Sequence, residues 1–266
     1  MLVLQNISKT FNPGTINEKK ALDGLNLHLR PGDFVTVIGG NGAGKSTMLN
    51  ATAGVWPVDE GRIILGGEDI TALPEHKRAH LIGRVFQDPM MGTAPNMQLE
   101  ENLALAARRG QKRGLKWGVT NAEREEYHER LKILGLGLED RMTSKVGLLS
   151  GGQRQAVTLL MAVLRKPKLL LLDEHTAALD PGTAAKVLEL SDKIVQENNL
   201  TTLMITHNMK DAIRHGNRLI MMNEGHIILD IEGEEKKKLT KQQLIDMFAQ
   251  KGASIDSDEA LLTKGG

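Results

Sequence analysis

The stretch Gly39–Ser46 reads GGNGAGKS and fits the pattern G-x-x-x-x-G-K-[ST]. Its flanks decide how it is read. DFVTVI, immediately before it, is apolar and β-branched, the type of strand buried on both faces of a parallel sheet. KSTMLNATAG, running on from its end, reads as a helix. A glycine-rich turn from a buried strand into a helix lets successive backbone N–H groups converge on one anion. The helix start adds its positive end and its unsatisfied donors. In such a loop Lys45 reaches the β- and γ-phosphates and the Ser46 hydroxyl ligates Mg²⁺. Gly39, Asn41, Gly42, Ala43, Gly44 and Thr47 complete the cradle.

A phosphate loop of this kind needs a second buried strand with an acid at its end. Leu169–Asp180, LLLLDEHTAALD, supplies one: four leucines run straight into Asp173 and Glu174. Successive strand side chains point to opposite faces, so the two carboxylates are expected to do different jobs. Asp173 takes the Mg²⁺ role. Glu174 stands where an attacking water is oriented and polarised, as a general base.

The rest of the chain supports an α/β reading. In LNLHLR, Leu25, Leu27 and Leu29 fall on one face and Asn26, His28 and Arg30 on the other, a half-buried strand of an antiparallel sheet. Further strands are expected at 62–67, 80–86, 168–172 and 200–206, with RLIMMN and HIILDI forming a closing hairpin around Glu224-Gly225. Helical segments between several of these suit crossover connections. Residues 88–165 read as a helical insert, including AEREEYHERLKIL behind an Asn121 cap. A short C-terminal helix follows, with Thr240 and Gln243 as a capping box and Leu244, Ile245 and Phe248 as its apolar face, then a polar, loose tail after Gly252.

Bulk composition removes other classes. The 266 residues hold 34 Lys+Arg against 33 Asp+Glu, a net +1, so no global field points to nucleic acid or to membrane. One Tyr, two Trp and four Phe are too few for base-stacking platforms. The absence of Cys excludes disulfides and thiolate metal sites. No apolar run is long enough to span a bilayer and MLVLQNISKT lacks the features of a signal peptide, so a cytosolic protein is expected.

Four more segments carry a family resemblance. Leu149-Ser150-Gly151-Gly152-Gln153 opens the helical run QRQAVTLLMAVLRK and resembles the signature of ATP-binding-cassette (ABC) ATPases. Phe86-Gln87-Asp88 resembles that family's glutamine loop, Ala178-Leu179-Asp180 its D-loop, and Ile205-Thr206-His207 its switch histidine. Phe11, in KTFNPG, stands where the family places an aromatic against adenine. LSGGQ is itself a glycine-rich helix start suited to an anion. One departure is His175, where the family usually has proline after the acid.

The resemblance covers residues 1–230 and implies a P-loop NTPase: a RecA-like, mostly parallel sheet, an N-terminal antiparallel β subdomain and a helical ABC-type subdomain, within one ATPase domain over 1–235, with 236–266 as helix and tail. It implies ATP and Mg²⁺ as ligands, with Ser46, Gln87 and Asp173 at the metal and Glu174, His207 and Gln87 at the reaction. It implies a head-to-tail dimer in which Ser150, Gly151, Gly152 and Gln153 of one copy close on the γ-phosphate held by Lys45 of the other, with Asp180 of the D-loop also at the nucleotide. Expected partners are a separate membrane permease and a substrate-binding protein, with no nucleic acid, and a cytoplasmic place on the inner face of the membrane. Long coiled-coil insertions are missing between the phosphate loop and the signature, and a single cassette is present, which argues against DNA-repair and translation roles. The wording FQDPMMGTA, LEENLALA and DEHTAALDP is similar to bacterial uptake cassettes, so amino acids or related small organic molecules are the expected cargo, with a soluble ATPase acting on nucleic acid or ribosomes, or an exporter cassette, as the alternatives. Met90, Met91 and Met97, in what reads as a helical segment after Gln87, read as an adaptable apolar dock for the permease or as plain core filling. Arg108, Arg109, Lys112, Arg113 and Lys116 read as a solvated basic loop or as neighbours of anionic headgroups.

Overall fold

A computed structural model describes residues 1–111 and 118–250. Its elements in chain order are β1 (Leu2–Phe11), β2 (Lys19–Leu29), β3 (Phe34–Ile38), α1 (Lys45–Ala53), β4 (Glu60–Leu65), β5 (Glu68–Asp69), α2 (Glu75–Arg78) and β6 (Ile82–Val85). Then come α3 (Leu99–Ala107), α4 (Asn121–Lys132), α5 (Gly151–Val163), β7 (Leu169–Asp173), α6 (Pro181–Asn198) and β8 (Thr202–Ile205). The chain closes with α7 (Met209–Arg214), β9 (Arg218–Asn223), β10 (His226–Glu232), α8 (Gly233–Lys237) and α9 (Lys241–Gln250).

These elements form two compact units, Met1–Arg78 with Asn199–Gly266, and Ala79–Asn198. The first unit holds an antiparallel sheet in the order β2-β1-β4-β5 and the strands β10-β9-β3-β8. Leu25, Leu27 and Leu29 are buried while Asn26 and His28 are exposed, the alternation expected of a one-sided antiparallel strand. β3 is buried throughout and pairs in parallel with β8 and β9, Val37 standing opposite Ile205 and Ile38 opposite Met221. β9 and β10 are the expected hairpin; Glu224 and Gly225 both have positive φ, 46° and 80°, as a tight two-residue turn requires. β1 went unread in the sequence because its burial pattern is irregular and Asn6, at φ 50°, interrupts it.

The C-terminal helices belong to the core of this unit. Leu239, Leu244 and Phe248 pack with Ile38, Met209, Leu219 and Met221, and Ile245 lies against the same cluster. The Thr240–Gln243 box is present: Gln243 N donates to Thr240 Oγ1 and Thr240 N to Gln243 Oε1. α8 crosses position 235, and its Lys236 is 1% exposed, with Nζ donating to Thr36 Oγ1 and to the carbonyls of His215, Gly216 and Arg218. The tail after Gly252 lies outside the described residues.

In the second unit β6 and β7 pair in parallel, with Val85 opposite Leu172. Leu169, Leu170, Leu171 and Leu172 are fully buried. Gly83 lies so close to α5 that a Cβ there would stand 2.5 Å from the Ala162 carbonyl. From 88 to 165 the described residues hold helices and turns, with one isolated bridge, Gln98 to Lys145. Two local readings need correction. α4 is capped by Thr120, whose hydroxyl accepts from Glu123 N, while Asn121 is already helical. The segment after Gln87 is turn rather than helix until Leu99, because Asp88 accepts from Met90 N through its side chain and from Met91 N through its carbonyl, and Pro95 interrupts the run. The basic loop is also corrected where it is described. Arg108 pairs with Glu123 at 2.9 Å, and Arg109 is turned inward onto the Ala162 carbonyl, its pKa lowered by burial and then by the charge of Arg165. Lys112, Arg113 and Lys116 lie outside the described residues.

Asp33 ties the start of β3 to β9. It is 5% exposed and accepts from Arg30 N at 2.8 Å and Asn217 Nδ2 at 3.1 Å. Burial alone would raise its pKa, but these donors and the Arg30 charge hold it below the usual carboxylate value. A depressed pKa contributes stability that is complete above the unfolded value, about 3.9, and is lost as pH falls through the folded one. Asp33→Ala is therefore expected to cost about 1–3 kcal/mol at pH 7, and denaturant titrations should find that difference shrinking below about pH 4.

Candidate functional site

Each unit presents its share of the candidate residues at the carboxyl ends of its parallel strands. In the first unit β3 leads into the Gly39–Ser46 loop and the neighbouring β8 leads into Thr206 and His207. Thr206 N donates to Val37 O at 3.1 Å, continuing the ladder to the loop's base. His207 is exposed, and the next residue, Asn208, caps α7 through Lys210 N and Asp211 N. Asp211 has its pKa raised by burial, against the charges of His215 and His207.

The loop is held by main chain on several sides. Gly39, at φ 150°, has no room for a Cβ against the Met222 carbonyl. Gly44, at φ 99°, would place one 2.5 Å from the Ala21 carbonyl. Gly225, in the β9–β10 turn, donates to Ala43 O at 3.0 Å. Glycine is needed at these positions by sterics as well as by torsion. α1 starts with Gly44 as its cap, so no side chain satisfies its first N–H groups. Lys45 is buried and its Nζ donates to the carbonyls of Gly39 at 2.5 Å and Gly40 at 3.0 Å, while Ser46 is exposed and Thr47 buried.

Phe11 ends β1, opposite Lys19 of β2. Its ring meets Trp56 edge to face at 4.9 Å, and Lys9 Nζ lies 5.8 Å from its centroid. Sequence reading missed Trp56 and Lys19. A Cβ on Gly42 would stand 2.8 Å from Lys19 Nζ, so this cation lies directly against the phosphate loop. No motif marks it, because strand pairing brings it there across a long separation.

In the second unit β6 and β7 end side by side, which places Gln87 and Asp173 at one edge. Gln87 is exposed. Asp173 pairs with Arg84 at 3.2 Å, and the Arg84 guanidinium lies 4.5 Å over the Phe86 ring. Glu174 has φ 45°, the left-handed region, which costs a non-glycine residue about 1–2 kcal/mol. His175, in contrast, is buried, with Nε2 3.0 Å from Ser191 Oγ.

α5 begins with a capping box: Ser150 Oγ accepts from Gln153 N at 3.2 Å, and Gln153 Oε1 accepts from Ser150 N at 3.1 Å. The Ser150 hydroxyl proton remains available to an anion. The glycines here also have a packing reason. A Cβ on Gly152 would collide with Thr183, and one on Gly151 would press on Leu179 at 3.2 Å. Asp180 accepts from Thr183 N at 3.0 Å, and hydrogen bonding to Thr183 lowers its pKa. α5 reaches the glutamine segment as well: Gln155 Nε2 donates to Phe86 O at 3.2 Å, and Arg154 Nη1 lies 2.7 Å from Met90 Sδ. Of the residues expected at Mg²⁺, Ser46 belongs to the first unit and Gln87 and Asp173 to the second, and each carries an oxygen of the kind that suits a hard cation. No group of three or more His, Cys, Asp or Glu that could hold a metal occurs among the described residues.

The family model described as ABC transporter matches residues 22–177, more than half of the chain. The chain belongs to the ABC transporter family. The cassette is 45% identical over 249 residues to a tyrosine transport ATP-binding protein of Clostridioides difficile, covering 93% of this chain and 98% of that one. It is 34% identical to a methionine import ATP-binding protein of Corynebacterium diphtheriae, over 98% of this chain and 76% of the relative. Among solved structures it resembles the ADP conformation of an ATP-binding cassette of an ABC transporter, with TM-score 0.77, 30% identity and coverage of 94% and 98%. It also resembles a dimeric post-hydrolysis cassette bound to ADP and Pi, with TM-score 0.74, 31% identity and coverage of 87% and 98%. The fold is therefore that of the P-loop ABC ATPases, and the cassette is an ATP-binding ATPase of that family. No helix among the described residues is long and apolar enough to cross a membrane.

Gly39→Ala forces a Cβ into the Met222 carbonyl and is expected to destabilise the cassette by about 2 kcal/mol or more, read in chemical denaturation. Lys45→Ala is expected to leave a folded protein whose ATP affinity falls by about tenfold or more in calorimetric titration.

Proposed function

We propose that the cassette is the ATP-hydrolysing subunit of an uptake system, driving a separate membrane permease that imports an amino acid or a related small organic molecule. The observation that carries this reading is the near full-length similarity to a protein named for tyrosine transport, with a methionine import protein also among the relatives.

In this reading the N–H groups of the Gly39–Ser46 loop and Lys45 bind the nucleotide phosphates, and the carbonyls that now hold Lys45 yield the ammonium to them. Phe11 stacks on the base. Ser46, Gln87 and Asp173 hold Mg²⁺, which when bound offsets charge on the phosphate oxygens. A second copy closes head to tail and brings the Ser150 hydroxyl and the N–H groups at Gly151 and Gly152 to the γ-phosphate. Glu174 takes a proton from the attacking water, and His207 steadies the transferring phosphoryl group. The similarity to a dimeric cassette bound to ADP and Pi supports the dimer.

Met90 and Met91, 42% and 69% exposed, are the proposed dock for the permease, a soft surface that adapts to a helix. The contact of Arg154 with Met90 Sδ gives this dock a direct connection to the signature helix. Through the permease the cassette sits at the cytoplasmic face of the membrane, and a substrate-binding protein belongs to the same system.

Two measurements test the reading. Glu174→Gln is expected to lower ATP turnover on the order of 10²–10⁴-fold while retaining ATP binding. Affinity capture from native membranes in mild detergent is expected to recover a multi-spanning permease with the cassette. Recovery of ribosomal or nucleic-acid partners alone would overturn the transport role and leave the ATPase standing.

A further inference from the structure

Glu174 needs one fixed place, and its own backbone does not favour the place it has, at φ 45°. The segment that follows is pinned to α6 at two points. His175 turns inward, 2% exposed, and its Nε2 lies 3.0 Å from Ser191 Oγ, in a residue 1% exposed. Ser191 Oγ donates its single proton to Val187 O at 2.8 Å, so toward the ring it accepts, and Nε2–H is the donor. At the other end Asp180 Oδ1 accepts from Thr183 N in the first turn of α6. Between them Ala177 N donates to Glu174 O at 2.9 Å and Leu179 N to Thr176 O at 3.1 Å. Residues 174–180 are thus two tight turns clamped at both ends, with the His175 clamp adjacent to Glu174.

We propose that His175 is a positioning residue: its buried bond to Ser191 holds the Glu174 backbone in the left-handed conformation and so delivers the carboxylate to a single position. The inference rests on the reading of Glu174 as general base. Without the bond, Glu174 relaxes toward a commoner torsion and its carboxylate swings away. Nucleotide binding depends on other residues and is spared. Proton abstraction is sensitive to ångström displacements, so the loss falls on turnover.

The test measures Mg-ATP turnover and ATP affinity on the full chain for His175→Leu, His175→Gln and Ser191→Ala, with Glu174→Gln and the Glu174→Gln/His175→Leu double variant. His175→Leu is expected to lower kcat about tenfold or more, with KM and ATP affinity within about twofold of wild type. Ser191→Ala lowers kcat in the same sense. His175→Gln, whose amide N–H can reach Ser191, recovers to within about threefold of wild type, and His175→Leu adds nothing once Glu174 is Gln. Wild-type turnover in Glu174→Gln would overturn the base reading and this inference with it. An impaired Glu174→Gln beside unimpaired His175→Leu and Ser191→Ala would overturn the positioning role alone, as would His175→Gln being no better than His175→Leu. Should His175→Leu fail to fold, Ser191→Ala decides, and an unchanged kcat there overturns the inference.

Discussion

The contact on which the first unit depends is main chain against main chain. The loop between β3 and α1 is wedged against the carbonyls of Met222 and Ala21 and is bonded to Gly225 in the β9–β10 turn. Interiors are packed too tightly for such a wedge to shift by small amounts. The hairpin, the antiparallel strand β2 and the core strand β3 therefore fix one loop shape between them. The buried Asp33 network at the start of β3 and the packing of α9 against Ile38 at its end hold the strand that carries the loop.

The second unit solves a different problem, the placement of acids on a greasy strand. Four fully buried leucines anchor β7 and leave its polar end at the unit's edge. Asp173 is neutralised by Arg84, which itself lies over Phe86, so the strand end, the glutamine segment and α5 are linked through side chains. The signature glycines take part in the same packing, since Gly151 and Gly152 make room for Leu179 and Thr183. One sequence motif thus answers to two constraints, close packing on Leu179 and Thr183 and the capping of its own helix.

Much of this was legible in the chain itself. GGNGAGKS and LLLLDE combine residue type with strand context, and local chemistry alone dictates their shape. The β9–β10 hairpin was readable from Glu224-Gly225, and the α9 box from Thr240 and Gln243, because capping and tight turns involve near neighbours. What escaped were features set by distant partners. Lys19 reaches Gly42 only through β1–β2 pairing, and Trp56 reaches Phe11 from beyond α1. Arg108 and Arg109 read as a bare basic run because Glu123 and the Ala162 carbonyl lie far along the sequence. The turns after Gln87 sit in a segment whose apolar content reads as helix, while the side chain and carbonyl of Asp88 close them through Met90 N and Met91 N.

The two helix starts differ in how they meet their own needs. α1 is capped by glycine alone, whereas α5 satisfies Gln153 N with Ser150 and Ser150 N with Gln153. An anion at α1 would meet donors that no side chain caps. At α5 the box claims two donors, Ser150 N and Gln153 N, and makes no claim on the N–H groups of Gly151 and Gly152. In the proposed head-to-tail sandwich one copy would offer a helix start with no side-chain cap and the other a start already half closed on itself, an inequality written into the chemistry of two caps.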